Sequence, residues 1–317
     1  MMEAYTPAQT MQLIVRMGEK KAKTRLDKFF TNSFLAGPLL GFGCALSLST
    51  ATAPWYQENA PGLIRTISAC FFPIGLILVV LTGAELFTST VMFLPVACLE
   101  RRITILDLGR GLGVAFFGNL LGMLFFMAVI CGYGGIFDDE EMKKQAAKNA
   151  VKKAVEVEWW QIFIKAIAAN WLVCLAVFFA NSSREIGSKI MAMWWPIMTF
   201  VALGMDHVVA NFFLIPIGIW CGAPIGVWYY IYKSMLPSLV GNAIGGGVFV
   251  GVMYWYIHMT GKEAVAADFD KPEQNCDVPL VKVQRPSVYD SYASSIDGFK
   301  HSARSSVEVA RTPWPAV

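Results

Sequence analysis

Three ionisable side chains lie within long apolar stretches of the sequence: Glu85, Asp206 and His207. If these stretches span a membrane, an ionised group at the bilayer centre costs about 2.5–3.5 kcal/mol, so such residues commonly mark a pathway or a binding site. His207 is the strongest candidate for direct chemistry, because a neutral imidazole both donates and accepts hydrogen bonds and titrates near neutral pH. A histidine that only satisfies its hydrogen bonds in the core is the alternative.

Both carboxylates stand at a polar interruption, in Gly-Ala-Glu at residues 83–85 and in Gly-Met-Asp at residues 204–206. A carboxylate at such a break can cap the helix that starts there, by accepting hydrogen bonds from free backbone N–H groups. A proton-relay role is the second possibility. We predict that Glu85 and Asp206 are caps and belong to the scaffold of the interrupted segments.

Several residues beside the two breaks could line a pathway. Thr88 could bond His207 across the interface between the two breaks, or it could cap its own helix. Leu86, Phe87 and Phe212 could form apolar constrictions that strip water from a solute, with ordinary aromatic packing as the alternative.

Four amides and three lysines complete the set of candidate residues. A buried amide without a partner is unfavourable, and the backbone groups released at the breaks are obvious partners, which favours a scaffold role over solute contact. The lysines lie before or within the fourth apolar segment, where they could draw anions into a vestibule, or belong to a solvated loop helix. The residues concerned are Asn119, Asn170, Asn211, Asn242, Lys152, Lys153 and Lys165.

The composition identifies the class of protein that must hold these residues. Of 317 residues, 56% are hydrophobic and 15% are charged, against about 25% charged in soluble domains. The mean hydropathy is +0.50 and the net charge is only +3. An ordinary soluble enzyme, a disordered protein and a nucleic-acid binder are therefore excluded, which leaves a protein that crosses the lipid bilayer several times.

The apolar pattern predicts an all-α protein with six transmembrane spans. Within the second and fifth spans, the 32-residue stretches 64–95 and 190–221 would each reach about 48 Å as straight helices, well beyond a hydrocarbon core of about 30 Å. Each also carries one of the polar interruptions at its middle, so we predict that both are broken helices. The predicted spans cover residues 29–53, 64–98, 108–133, 159–181, 190–221 and 235–259.

The two halves of the chain resemble each other. Gly-x-acid recurs at residues 83–85 and 204–206, an offset of 121, and Gly-Asn-x-x-Gly recurs at residues 118–122 and 241–245, an offset of 123. Each half holds three spans, an odd number, so the second half must enter the membrane inverted. Paired broken helices in inverted repeats are typical of transporters and channels, with the site where the breaks meet. Chance recurrence of short motifs is the alternative.

The flanks set the expected orientation and the domain limits. Eleven Lys or Arg residues flank the spans on the side of the N-terminus and seven on the other side, so both termini are expected to be cytoplasmic. We predict an N-terminal segment over residues 1–28 without a cleavable signal, a transport domain over 29–260 and a disordered tail over 261–317. Seven cysteines without a CxxC pair and three scattered histidines predict reduced packing thiols and neither a metal nor a cofactor.

Three motifs resemble the formate/nitrite transporter family. VLTGAELFTS at residues 80–89 and AIAANWLVCLA at residues 166–176 are similar to its two signatures. DHVVAN at residues 206–211 resembles its central-histidine loop, with Asp where bacterial members commonly have Glu. The resemblance covers about residues 5–260. YTPA at residues 5–8, WYQENAPG at residues 55–62 and the polar tail are similar to the fungal nitrite-transporter branch.

The resemblance implies an aquaporin-like fold, a homopentamer with one pore in each protomer, and the passage of small monovalent acid anions. Thr88 and His207 would form the central pair, with Leu86, Phe87 and Phe212 as constrictions. The family also has a vestibule lysine before the fourth span, for which Lys152 and Lys153 are both candidates.

We therefore expect pH-dependent, proton-linked transport of nitrite, with formate or another short monocarboxylate as the alternative, by a plasma-membrane protein. A bare anion crosses apolar constrictions at high cost, whereas a neutral acid formed near His207 does not. An intramembrane enzyme would need a nucleophile with its base, or paired metal ligands, which these residues do not supply. A water or glycerol channel would share the architecture, but the paired Asn-Pro-Ala loops are absent from the sequence.

Overall fold

In the computed structural model, which describes residues 4–260, helix is the only extended regular structure; a single antiparallel bridge joins Ala4 and Ser183. This part of the chain belongs to one compact unit, Met1–Ala267, and the predicted tail lies outside the described residues. The α-helices are α1 (Pro7–Lys23), α2 (Leu26–Thr50), α3 (Pro54–Asn59), α4 (Pro61–Phe71), α5 (Ile74–Thr82), α6 (Phe87–Leu99), α7 (Ile105–Phe125), α8 (Glu140–Ala154), α9 (Trp159–Ser182), α10 (Ile186–Ala202), α11 (Val208–Trp220), α12 (Val227–Tyr230), α13 (Leu236–Ile244) and α14 (Met253–Met259).

Three π-helical segments continue some of these helices. The segment Phe126–Tyr133 extends α7, Ile231–Met235 joins α12 to α13, and Gly245–Val252 joins α13 to α14. A π-helical segment shifts the register of the backbone hydrogen bonds and is frequent at functional sites.

Within residues 4–260, five helical stretches are long and apolar enough to cross a membrane, by length and composition. They are Leu26–Thr50, Pro61–Thr82, Ile105–Tyr133, Trp159–Ser182 and Val227–Met259. Three further apolar helices, α6, α10 and α11, are shorter, at 13 to 17 residues. Residues 4–260 therefore form an all-helical unit, apart from the one bridge, with several membrane-capable helices.

Short non-helical links separate α5 from α6 and α10 from α11. Gly83 ends α5 with φ +76°, and Gly204 follows α10 with φ +68°, both in the left-handed region that favours glycine. The chain then runs extended into α6 at Leu86 and into α11 at His207. These links occupy the middle of the second and fifth predicted spans, at the two polar interruptions of the sequence.

Glycine allows the helices around these links to approach closely. A Cβ on Gly122 of α7 would lie 1.9 Å from the carbonyl oxygen of Phe34 in α2. A Cβ on Gly245 would lie 2.1 Å from the carbonyl oxygen of Ile167 in α9. Small residues at helix contacts are the usual means of close packing inside a membrane. The contact of α2 with α7 and that of α9 with α13 frame the two links.

Two polar helices pack against this apolar bundle. The amphipathic α1 buries Met11, Ile14 and Val15, and packs on α6, α9 and α14. The lysine-rich α8 buries three alanines and packs on α11. Each of these helices brings a lysine to one of the two links.

Candidate functional site

Thr88 and His207 meet in the interior, where α6 and α11 begin. Nε2 of His207 lies 2.8 Å from Oγ1 of Thr88, and both residues are buried. They are 119 positions apart in the sequence, and each stands within the first residues of its helix. Of the two arrangements open to Thr88, the structure has the bond across the interface.

The imidazole of His207 also caps α11. Its Nδ1 accepts a hydrogen bond from the backbone N–H of Ala210 at 3.1 Å. A ring nitrogen that accepts a hydrogen bond carries no proton, so the proton of the neutral ring is on Nε2. His207 therefore donates to the Thr88 hydroxyl, and the hydroxyl proton of Thr88 remains available for a third group.

Asn119 of α7 holds the first link, between α5 and α6, in place; the second link is the one between α10 and α11. Its Oδ1 accepts from the N–H of Phe87 at 2.7 Å, and its Nδ2 donates to the carbonyls of Ser33 at 2.7 Å and Glu85 at 2.8 Å. One fully buried amide thus satisfies a free donor at the start of α6 and two carbonyls around it.

Asn242 of α13 makes the same three contacts at the second link. Its Oδ1 accepts from the N–H of Val208 at 2.7 Å, and its Nδ2 donates to the carbonyls of Ala166 at 2.8 Å and Asp206 at 3.0 Å. Asn119 and Asn242 occupy matching places in the two similar halves of the sequence, and their contacts are those of scaffold residues.

Asn170 of α9 connects the two links. Its Nδ2 donates to the carbonyls of Thr88 at 2.9 Å and Asn242 at 2.7 Å. Sγ of Cys174, one turn later, lies 3.2 Å from the same Thr88 carbonyl. The Asn170 amide therefore joins Thr88, which contacts His207, to Asn242, which holds the second link.

Glu85 does not cap α6, contrary to the sequence prediction. The N-cap of α6 is Leu86, without a side-chain hydrogen bond, and the Glu85 carboxylate forms an ion pair with Lys21 of α1. A carboxylate that does cap its helix is Glu185, at the start of α10. Hydrogen bonds from the backbone N–H groups of Gly187 and Ser188 hold the pKa of Glu185 below its usual range.

Asp206 also pairs with a lysine rather than with the backbone. Its Oδ1 lies 3.0 Å from Nζ of Lys153 in α8 and 3.3 Å from Nδ2 of Asn211. The Lys153 ammonium also reaches the carbonyl of Met205 at 3.4 Å. The predicted cap is absent, since the cap of α11 is supplied by His207 itself. Both carboxylates thus form ion pairs with lysines from the two polar helices, α1 and α8.

The other two candidate lysines make no such contact. Lys152 is exposed on α8 and Lys165 is half-buried on α9; within residues 4–260 neither ammonium group has a hydrogen bond or an ion pair. The structure thus brings Lys153, and not Lys152 or Lys165, to the second link.

The predicted constriction residues are buried, and two of them share an aromatic neighbour. Leu86 and Phe212 have no exposed surface and Phe87 has 4%. The ring of Phe116 lies edge-to-face against Phe87 at 5.6 Å and against Phe212 at 5.4 Å between ring centroids. These contacts are those of a packed aromatic cluster around Phe116 of α7.

An aromatic residue that the sequence did not single out, Phe200, packs next to the imidazole, and Phe72 packs behind it. The ring of Phe200 is 5.8 Å from that of His207 between centroids, and Phe72 packs edge-to-face on Phe200 at 5.5 Å. Lys21 was also not selected, because it stands 64 residues from Glu85 among other flanking lysines. The apolar face of α1 predicts that this helix packs against the bundle, and this pattern could have indicated that Lys21 reaches the interior.

A metal site is not part of this arrangement. Among residues 4–260, no group of three or more His, Cys, Asp or Glu side chains is placed to hold a metal ion. The six cysteines in this range are free.

Comparison with known proteins places the chain among membrane transporters. Residues 8–256 match the formate/nitrite transporter family. The chain is 35% identical over 268 residues to a "Probable formate transporter" of Methanothermobacter thermautotrophicus, covering 80% of this chain and 97% of that protein. It is 30% identical to the "Formate channel FocA" of Haemophilus influenzae, covering 81% of this chain and 96% of the channel.

Solved structures agree with the sequence comparison. A structure described as "FNT family ion channel" superposes with a TM-score of 0.72 at 26% identity, covering 78% of this chain and 98% of the other. A second, "Pentameric formate channel with formate bound", gives a TM-score of 0.65 at 28% identity, with 74% and 98% covered. With a family match over most of its length and relatives of 30% identity or more, the chain belongs to the formate/nitrite transporter family.

Proposed function

We propose that this member of the family carries small monovalent acid anions across the membrane through a pore centred on Thr88 and His207. Nitrite is the first candidate substrate, from the resemblance to the fungal branch, and formate or another short monocarboxylate is the alternative. The observation that carries the proposal is the buried hydrogen bond between these two side chains, at the place where two helices begin.

The starts of α6 and α11 make this place attractive to an anion. Free N–H groups and the helix dipole give the first turn of a helix a partial positive charge. Lys21 and Lys153 add two ammonium groups near the links, each already paired with a carboxylate. Because each ammonium is balanced by its carboxylate, the starts of the two helices supply the partial positive charge that favours a small negative solute.

The hydrogen-bond directions define what the central pair does. His207 donates from Nε2 to Thr88, and Thr88 donates its own hydroxyl proton to an oxygen of the solute. The neutral imidazole supplies no proton in this scheme, because Nε2–H is its sole N–H. The solute takes its proton from solvent and crosses the apolar region as a neutral acid, which makes transport proton-linked and pH-dependent.

Apolar side chains next to the central pair exclude water. We assign this role to Leu86 and, on the side of the imidazole, to Phe200 with Phe72. Phe87 and Phe212, which the sequence analysis placed at the constrictions, would shape the pore through their common contact with Phe116. A layer of this kind rejects a hydrated anion and passes a neutral acid.

The architecture we propose has six spans in two inverted three-span repeats. α5 with α6, and α10 with α11, would be the two broken helices, and Asn119 and Asn242 support the proposal because they make matching contacts. We further propose that both termini face the cytoplasm, that residues 29–260 form the transport domain, and that the protein lies in the plasma membrane. A homopentamer is proposed because a relative solved with formate is described as pentameric. Transport, and not enzymatic turnover, is the activity of the family.

Uptake by purified protein in liposomes tests the proposed function. We expect uptake of labelled nitrite and formate, and none of glycerol, with a pH gradient driving accumulation toward the alkaline side. His207→Asn is the matched control, because asparagine can still cap α11 but cannot reach Thr88. Glycerol uptake, or anion uptake that the control variant retains, would contradict the proposal.

A further inference from the structure

The polar network around Asp206 continues away from Thr88 into the contact of α11 with α12 and α13. Nδ2 of Asn211 lies 3.3 Å from Oδ1 of Asp206 and 3.4 Å from Oγ of Ser238. The carbonyl of Asn211 accepts from the hydroxyl of Tyr230 at 3.1 Å. Tyr230, Ser234 and Ser238 form a polar stripe, and Asn211 contacts the first and the last of them.

Ser234 must lie beside Asn211. Tyr230, Ser234 and Ser238 are spaced four residues apart, which places them on one helix face. Asn211 contacts the residues on either side of Ser234, and Ser234 and Asn211 have no exposed surface. The π-helical segment Ile231–Met235, which contains Ser234, widens the helix at this height.

Two buried polar atoms in this contact lack a partner among the described residues: Oδ1 of Asn211 and Oγ of Ser234. An unsatisfied buried polar atom costs about 1–3 kcal/mol, and nearly all such groups in folded proteins are paired with protein or with ordered water. The two atoms complement a third group of small size, since Asn211 offers an acceptor and Ser234 offers a donor and an acceptor.

We propose that Asn211 Oδ1 and Ser234 Oγ together bind one internal water molecule between α11 and the π-helical segment. The water donates to Oδ1 of Asn211 and accepts from the hydroxyl of Ser234, and the Tyr230 hydroxyl oxygen is a further acceptor for its second hydrogen. Three protein partners are what a buried water commonly has.

This water makes Ser234 a positioning residue for Asp206. A donor held on Oδ1 prevents rotation of the Asn211 amide, so its N–H group stays directed at the Asp206 carboxylate. Asp206 in turn keeps its contact with Lys153. The inference stands on hydrogen-bond geometry and does not depend on which solute the protein carries.

Electron cryo-microscopy of the full-length protein in lipid nanodiscs, at a resolution that shows ordered waters, tests the proposal. We expect a density peak about 2.7–3.2 Å from both Asn211 Oδ1 and Ser234 Oγ. An empty space between the two atoms, or a direct hydrogen bond from one to the other, would overturn it.

Two serine variants test the role of Ser234. Ser234→Ala should lose the peak, and the separation of Asn211 Nδ2 from Asp206 Oδ1 should grow beyond hydrogen-bonding distance. Ser33→Ala is the matched control, because among residues 4–260 the buried Ser33 hydroxyl bonds only the carbonyl of Phe29 in its own helix. A peak that persists in Ser234→Ala, or an unchanged contact of Asn211 with Asp206, would refute the assignment. If Ser234→Ala does not fold, the wild-type map alone decides.

Discussion

His207 has two separate tasks at the scale of single residues. One ring nitrogen caps α11 and the other bonds Thr88, so a substitution can remove one contact and keep the other. Most replacements of His207 remove both contacts, so an effect on folding cannot be separated from an effect on transport. Asparagine is among the best N-cap residues and is too short to reach Thr88.

We therefore predict that His207→Asn abolishes uptake while the amount of membrane-inserted protein stays at the wild-type level. His207→Ala should abolish uptake and also lower stability by about 0.5–2 kcal/mol, because the cap is lost. Liposome uptake together with thermal unfolding in detergent separates the two effects. Wild-type uptake by His207→Asn would show that the bond to Thr88 is dispensable.

The ion pair of Lys153 with Asp206 makes a second prediction at this scale. Breaking one side of a buried pair leaves a bare charge and costs up to about 3–5 kcal/mol, whereas removing both charges can be nearly neutral. Lys153→Met should therefore unfold at a lower temperature than wild type, and adding Asp206→Asn should restore much of the loss. The side chains are 17% and 3% exposed, so solvent screens this pair little.

Lys152→Met is the control for this experiment. Lys152 precedes Lys153 on the same helix, but it is exposed and has no ion pair within the part of the chain that the structure describes. Its substitution removes the same charge and should leave the unfolding temperature unchanged. Equal losses in the two methionine variants would mean that net charge, and not the pair, matters.

At the scale of elements, α7 offers a matched pair of glycines. A Cβ on Gly122 would collide with the Phe34 carbonyl of α2, whereas nothing lies within 4 Å of a Cβ on Gly113. Gly122→Ala should destabilise the protein by at least about 1–3 kcal/mol, because the two backbones must separate. Gly113→Ala should be neutral or mildly stabilising, since alanine is the better helix former by about 1 kcal/mol.

Thermal unfolding of both glycine variants in one detergent measures this difference. Because α7 carries Asn119, separation of α2 and α7 would also loosen the first link. A Gly122→Ala protein as stable as Gly113→Ala would show that α2 and α7 are free to move apart.

At the scale of the whole molecule, the proposed pathway passes a neutral acid. Above the pKa of the acid, each unit by which the pH falls raises the neutral fraction of the acid about tenfold. Uptake of nitrite or formate should therefore rise as the external pH falls from 8 to 5, until the pore saturates. Uptake that stays flat over this range, with an intact pH gradient, would rule out proton-linked passage.

Much of the site was predictable because its parts sit where an apolar sequence is interrupted. Thr88, His207 and the asparagines are polar groups in apolar segments, and burial forces such groups to find partners. The partners of Glu85 and Asp206 were predicted wrongly. Their lysines lie on α1 and α8, and the sequence around them does not indicate how these helices dock. Phe72 and Phe200 were missed because aromatic residues in an apolar helix have no pattern that distinguishes a pore wall from packing.

The tautomer of His207 also makes the proposed pore accessible to spectroscopy. The sequence has three histidines, at positions 207, 258 and 301, so a sample labelled with ¹⁵N-histidine gives few signals. The ring that caps α11 should show a protonated Nε2 and a bare Nδ1, a chemical-shift pattern that identifies it without mutation. Nitrite or formate would give the Thr88 hydroxyl proton an acceptor, and the chemical shift of the His207 Nε2 that donates to this hydroxyl should respond. Magnetic resonance on the unmodified protein can thus test whether a solute reaches the proposed central pair.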